Sequence, residues 1–372
     1  MIKKSKIIYV QSITKFNIIQ NTKTGGIILK AVVKFKDGKN GWEIRDIPRS
    51  VPKEDEVEIK VEMLSVCGSE LHLYHDNHYY KPPVVVGHEF SGVISRVGKN
   101  VNKWQVGERV VCENHTRSCR VCEFCRNGQE QFCSSRKAMG YDIDGYWTEY
   151  VCRPAWLLHK IPPDVSLEEA ALIEPTSIVV HALFYKTNIK TIDIVLVQGC
   201  GPIGMIAAMV AKARGAKTVI LTGIDVDKKV RIPLAKKLGI DNVINVTEIN
   251  LKEKIMDLTS GKGVDVVIEA SGSDIAINSA IDLVKKTGKI IAIGETRDEY
   301  IKFSWNKAIF RACTVFFSLG SNYSSWEISL NLIKDGKINL KKLITHKLPL
   351  EDWEKAFKLM DAKESGKVIL IP

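Results

Sequence analysis

The feature that most constrains this chain is a regular alternation of short apolar strands and amphipathic helices between residues 194 and 293. Residues 194–197, 218–222, 242–244, 264–268 and 289–293 read as strands, and 204–214, 228–238, 251–259 and 275–285 as the helices between them. Strands joined in this way pair in parallel through right-handed crossovers, so the segment is expected to be a doubly wound α/β sheet. Gly199-Cys200-Gly201-Pro202-Ile203-Gly204 stands where the first strand meets the first helix. There the first glycine makes the turn and the second lets a pyrophosphate approach the backbone. The third lets the helix pack closely, with the phosphates at its positive end. Gly199, Gly201, Pro202, Ile203 and Gly204 are therefore expected to hold a dinucleotide.

A carboxylate that grips the adenosine ribose is expected about twenty residues further on. That position falls on Gly223, with Asp225 two residues later and Lys228, Lys229 and Arg231 following. A glycine there removes a charge that would repel a 2′-phosphate, and Lys228 and Arg231 could bind one. Alternatively, Asp225 folds back onto the ribose. Both NAD and NADP remain open, with the lean to NADP.

Upstream the texture differs. Residues 29–35, 56–66 and 92–97 alternate or run apolar between Gly and Pro punctuation, which predicts a β-rich domain. A helical passage over 167–185 follows, with Asp164 or Ser166 as its N-cap. Further helices are expected at 325–334 and 350–361, and the strand at 367–371 is expected to return to the first domain. Residues 1–28 carry several lysines but no arginine or carboxylate, and read as an N-terminal extension. The segment has no secretory apolar run, and nothing approaches the ~18 apolar residues of a membrane span, so a cytoplasmic protein is expected. The 54 Lys and Arg against 43 Asp and Glu are scattered rather than clustered. That distribution argues against a nucleic-acid partner.

Four of the nine cysteines crowd into one loop, Cys119-x2-Cys122-x2-Cys125-x7-Cys133. In a chain this long such spacing reads as metal binding, and a closed four-thiolate set is structural zinc. A second set is sparser. Cys67-Gly68-Ser69-Glu70-Leu71-His72 ends a strand, Gly87-His88-Glu89 follows about twenty residues later, and Glu174-Pro175 opens the helical passage. A Cys, a His and a carboxylate suit a catalytic zinc with three protein ligands and one open position.

These motifs, in this order, resemble the zinc-containing medium-chain dehydrogenase/reductase family, in its polyol (sorbitol) dehydrogenase branch. The resemblance implies a GroES-like β-rich catalytic domain interrupted by a Rossmann domain, with the active site in the cleft between them. It divides the chain into an extension (1–28), a catalytic domain (29–181) with a zinc lobe at 112–135, a Rossmann domain (182–320), and a return to the catalytic domain (321–372). It implies two zinc ions per chain, one on the four cysteines and one on Cys67, His88 and Glu89. Glu174 is implied to hold the zinc-bound water or to exchange with it. Ser69 is implied to take the alcohol proton and His72, within hydrogen-bond reach, to relay it. Ser271 would lie along the cofactor, and Ile293 and Gly294 along the nicotinamide ribose.

Two residues depart from the family pattern. The usual aspartate is Glu70, and the Arg-Tyr pair that grips polyol hydroxyls aligns with Leu319-Gly320. The implied reaction is reversible hydride transfer from a small secondary alcohol to NAD(P). Threonine, a butanediol or a sugar are the alternative substrates. A zinc protein without chemistry is a third reading, but it gives the Ser69–His72 pair no purpose. The apolar stretch at 312–319 is expected to be a sheet-edge strand covered by a second subunit, giving a dimer or tetramer.

Overall fold

β3 (Glu56–Ser65) shows how the first half folds, because it buries Val57, Ile59 and Val61 completely while exposing Lys60. Glu58 breaks the alternation: it is buried, and its carboxylate accepts from Arg49 Nε at 3.0 Å, Arg96 Nε at 2.9 Å and Ser95 Oγ at 2.6 Å. Those donors outweigh burial and hold the carboxyl near 2. The computed structural model describes residues 26–240 and 242–372, so most of the expected extension at 1–28 lies outside the described residues.

Around β3 the chain builds three sheets. Their strands are β1 (Ile28–Lys34), β2 (Trp42–Pro48), β4 (Val84–Val85), β5 (Glu89–Val97), β6 (Arg109–Cys112), β7 (His115–Thr116), β8 (Lys137–Ala138), β9 (Tyr150–Pro154) and β10 (Leu158–Lys160). Sheet order is β2-β1-β4 in the first, while β7 pairs β8 alone as a ribbon. The largest runs β10-β6-β5-β3 and then takes in two strands from the end of the chain, β18 (Lys367–Ile371) and β17 (Ile344–Pro349). The C-terminal strand does return to the first domain, pairing antiparallel with β3 at Ile369–Ser65.

The expected single helix over 167–185 is two helices, α3 (Leu167–Ala170) and α4 (Ile173–Tyr185). Pro175 is the reason. Its ring would clash with the carbonyl of residue 171 in a continuous helix, but it is tolerated in the first turn of a new one. Ser166 rather than Asp164 caps α3, exchanging bonds with Glu169 in a capping box. Earlier in the chain lie α1 (Gly68–Tyr74) and α2 (Glu123–Arg126).

The second half is the alternation the sequence announced. β11 (Ile194–Gln198), β12 (Thr218–Gly223), β13 (Asn242–Asn245), β14 (Val264–Glu269), β15 (Val284–Ala292) and β16 (Thr314–Phe317) form one parallel sheet. Its order is β13-β12-β11-β14-β15-β16. The crossovers are α5 (Pro202–Ala213), α6 (Arg231–Lys237), α7 (Leu251–Leu258), α8 (Asp274–Leu283) and α9 (Trp305–Arg311). The order reverses beside β11, and such a switch point opens the crevice where dinucleotides bind. The helix expected to reach 285 stops at Leu283, because Val284 and Lys285 already belong to β15. α9 has no counterpart in the sequence-based expectation. Two last helices, α10 (Tyr323–Lys334) and α11 (Trp353–Asp361), carry the chain back. The main core is continuous through α4, α5, α10 and the parallel sheet.

Candidate active site

The site is assembled where β3 ends. Cys67 N-caps α1, and Glu70 turns back within the first helical turn to accept from the Cys67 backbone N–H at 2.7 Å. The other Glu70 oxygen lies 2.5 Å from His88 Nδ1, with both side chains buried. One carboxylate thus fixes the backbone of Cys67 and the ring of His88, and leaves the Nε2 lone pair of that ring free for a metal. His88 comes close because Gly87 precedes it at φ +93°, where a Cβ would lie 2.0 Å from the Trp147 ring.

Glu89 opens β5 and is fully buried. Lys367, buried at the head of β18, donates to its two oxygens at 2.9 and 2.6 Å and to the Val66 carbonyl at 3.1 Å. Burial pushes Glu89 up, but Lys367 and then His88 outweigh it and keep the carboxylate ionised. Burial pushes the Cys67 thiol up, with Glu89 adding to the effect and His88 opposing it. Ligand atoms of Cys67, His88 and Glu89 lie within 4.8 Å of one another. A thiol, an imidazole and an ionised carboxylate in one buried spot form a donor set that fits zinc with a position to spare.

Glu174 is buried in the first turn of α4 but stands outside that three-residue set. Asn114 donates to its Oε1 at 2.6 Å. Burial raises its carboxyl to about 7, with the charges of Glu89 and Glu70 adding and those of His88 and Lys367 opposing.

The expected Ser69–His72 hydrogen bond is not formed among the described residues. Ser69 Oγ instead accepts from Tyr141 Oη at 2.7 Å, and Tyr141 Oη also lies 3.5 Å from His88 Nδ1. The two residues share a face of α1, three positions apart, but Tyr141 takes the place at Ser69 that His72 was expected to fill. His72 remains half-buried on that helix, and burial pushes it down.

Cys119, Cys122, Cys125 and Cys133 also bring their sulfurs within 4.8 Å of one another. Backbone N–H groups of Cys119 and Cys122 point at the sulfurs of Cys133 and Cys119, each at 3.3 Å. The first of these bonds does most to push the Cys133 thiol down to about 6. This set fits a closed four-sulfur metal site.

On the nucleotide side, Gly199 has φ +113°, and a Cβ on Gly204 would lie 1.8 Å from the Gly199 carbonyl oxygen. Gly201 N-caps α5 and Pro202 is its first residue, with Ile203 next. The ends of β14 and β15 interlock beside this turn. Ser271 N donates to Glu269 Oε1 at 2.9 Å, and the N–H groups of Ile293 and Gly294 donate to the Glu269 carbonyl at 2.9 and 3.0 Å. Past β12, Asp225 accepts from Asn245 Nδ2 and from Lys228 Nζ, both at 2.8 Å. Gly223 ends β12 with Cys200 close against it.

The basic residues expected here for a 2′-phosphate are otherwise engaged. Lys228 is held between Asp225 and Glu248. Arg231 is buried, donates from Nε to the Ser365 carbonyl at 3.0 Å, and faces Asp227 at 3.6 Å. The Arg231 guanidinium ties α6 to the segment before β18.

Several site residues escaped the sequence reading: Lys367, Asn114 and Tyr141. Lys367 left a signal, as a lysine heading an apolar strand predicted to return to the first domain. Tyr141 and Asn114 sit in loops without periodicity and left none.

A parallel nucleotide sheet joined to a β-rich unit with a thiol–imidazole–carboxylate set defines the class of metal-dependent dehydrogenases. Comparison with known proteins agrees. Residues 53–163 match the alcohol dehydrogenase GroES-like domain, and residues 202–335 match the zinc-binding dehydrogenase family. A sorbitol dehydrogenase from Halalkalibacterium halodurans is 38% identical over 344 residues, covering 92% of this chain and 99% of that protein. A D-arabitol-phosphate dehydrogenase from Enterococcus avium is 35% identical, covering 90% of this chain and 96% of that protein. Among solved structures, an NADP-bound zinc-binding dehydrogenase from Sinorhizobium meliloti superposes with a TM-score of 0.85 at 26% identity, covering 93% and 100%. The chain belongs to the zinc-containing medium-chain dehydrogenase/reductase family and is an alcohol-oxidising enzyme similar to its polyol dehydrogenases.

Proposed function

We propose that this enzyme oxidises a secondary alcohol of the polyol class with NAD, at a zinc ion held by Cys67, His88 and Glu89. The observation that carries the reading is the convergence of those three side chains within 4.8 Å. When bound, zinc supplies Lewis acidity to the alcohol oxygen and the dinucleotide accepts the hydride. The protein supplies the rest. Glu70 orients His88, and Lys367 keeps Glu89 charged. Ser69 has one lone pair taken by Tyr141, which leaves its other lone pair and its own proton for the substrate hydroxyl. Glu174, anchored by Asn114, faces the same site with a carboxyl that exchanges protons near neutral pH. A second zinc on the four cysteines braces the lobe at 112–135.

Asp225 supports NAD over the NADP toward which the sequence leans. It follows β12 directly, and the neighbouring Lys228 and Arg231 are committed to protein carboxylates and a carbonyl. The division at 29–181, 182–320 and 321–372 is kept as a working description. No helix among the described residues is long and apolar enough to cross a membrane, which is compatible with a cytoplasmic setting. β16 is an edge strand whose Phe317 is 81% exposed, and Phe310 of the preceding helix α9 is 82% exposed. A second copy covering this edge is proposed, as a dimer or tetramer.

The test is a screen of the zinc-loaded full chain against sorbitol, D-arabitol, D-arabitol phosphate, L-threonine and 2,3-butanediol, with NAD and NADP in parallel. A polyol or polyol phosphate should reduce NAD at least about tenfold more efficiently than NADP. Absence of turnover on every alcohol, or a preference for NADP, would contradict the reading.

A further inference from the structure

The ribbon β7–β8 is tied to the reacting site, since Asn114, the residue before β7, is the partner of Glu174. His115 pairs with Ala138 across the ribbon. Arg136 stands just before β8, close enough to His115 for its charge to act on that ring. Both polar side chains are short of partners. Arg136 Nε and His115 Nε2 are buried without a hydrogen bond, and the guanidinium forms no salt bridge among the described residues. Burial pushes the Arg136 guanidinium down, opposed by the charges of Asp142 and then Glu174. The neighbouring carboxylates have other work: Asp142 accepts from the Ala138 N–H at 2.9 Å, Glu174 from Asn114, and Glu113 faces His159 at 3.4 Å and His115 only at 3.7 Å. A half-buried guanidinium whose Nε lacks a partner, and whose nearby carboxylates are each bonded elsewhere, keeps donors available for a ligand.

We infer that Arg136, with His115 beside it, forms an anion subsite, so that the alcohol this enzyme oxidises carries a phosphate or carboxylate group. The inference rests on the dehydrogenase reading above and narrows its substrate. Arg136 presents planar, fork-like donors suited to a phosphomonoester or carboxylate, and the nearby His115 adds an N–H. The anion then sits on the ribbon while the hydroxyl carbon reaches Cys67, His88 and Ser69. Leu319-Gly320, where the polyol-gripping pair would stand, offers no charged side chain, and Gly320 packs against Gln131 of the zinc lobe. Recognition of the far end of the substrate therefore passes to the ribbon.

The test compares kcat/KM for a neutral polyol, its phosphomonoester and a hydroxy acid of similar length, in wild type, Arg136→Gln and Arg136→Lys. Wild type should prefer one of the anionic substrates by about 100-fold, and which one identifies the anion. Arg136→Gln should collapse that ratio and Arg136→Lys should restore part of it. A neutral polyol turned over with no anionic preference, or a ratio unchanged in Arg136→Gln, overturns the subsite while leaving the dehydrogenase reading standing. If no alcohol is oxidised, that reading fails by itself. The subsite is then judged by calorimetry with inorganic phosphate, which should bind wild type and not Arg136→Gln; equal binding or none overturns it.

Discussion

Glu70 carries more of the site than its place beside the ligand residues suggests. A single buried carboxylate reaches both the Cys67 backbone and His88 Nδ1. That connection makes the two zinc sets separable at the level of single residues. Cys67 caps a short helix, whereas Cys122 belongs to a lobe on which four sulfurs converge, so a metal held there would cross-link it. Cys67→Ser should lower kcat by at least about 1000-fold with the melting temperature shifted by less than about 2 °C. Cys122→Ser should lower the melting temperature by about 5 °C or more. Scanning calorimetry with a turnover assay checks both, and equal melting losses would contradict the division. The ligand types were legible in the sequence because cysteine, histidine and glutamate announce metal chemistry by spacing. Tyr141 and Arg136 were not, because a tyrosine or arginine in a loop acquires meaning only from what the fold places beside it.

At the scale of elements, the turn from β11 to α5 is the most exacting piece of backbone. A Cβ on Gly204 would meet the Gly199 carbonyl at 1.8 Å, so Gly204→Ala must open the turn that the pyrophosphate is expected to occupy. The expected result is a KM for NAD raised at least about tenfold and a stability loss of about 1–3 kcal/mol. Unchanged cofactor kinetics would remove the dinucleotide from this turn. The strands and crossovers of this half were readable because the central strands are short apolar runs buried on both faces, the helices between them are amphipathic, and Gly or polar residues bound them. The break at Pro175 was readable in principle from its missing N–H. α9 was not, because it buries no residue in the described chain and exposes Trp305, Ile309 and Phe310. A helix whose apolar side faces outward has no amphipathic pattern to read; a second subunit seated there would supply the missing face.

For the whole molecule, the large sheet draws strands from both ends of the chain, and this connects cofactor binding to the metal set. β18 delivers Lys367 to Glu89, and α4 delivers Glu174 from the junction with the parallel sheet. The sequence showed two textures and the returning strand, but not that the last strand would bring the charge that keeps the Glu89 carboxylate ionised. The surplus of 11 positive charges is spread over this architecture without forming an arm, consistent with a small anionic substrate rather than a polymer. The most direct test of the account is the zinc content of the full chain, measured by elemental mass spectrometry and read beside NAD reduction. The account predicts two ions per chain in the wild type, and one, with no turnover, in Cys67→Ser. A single ion in active wild type, or turnover retained by Cys67→Ser after loss of its second ion, would contradict it.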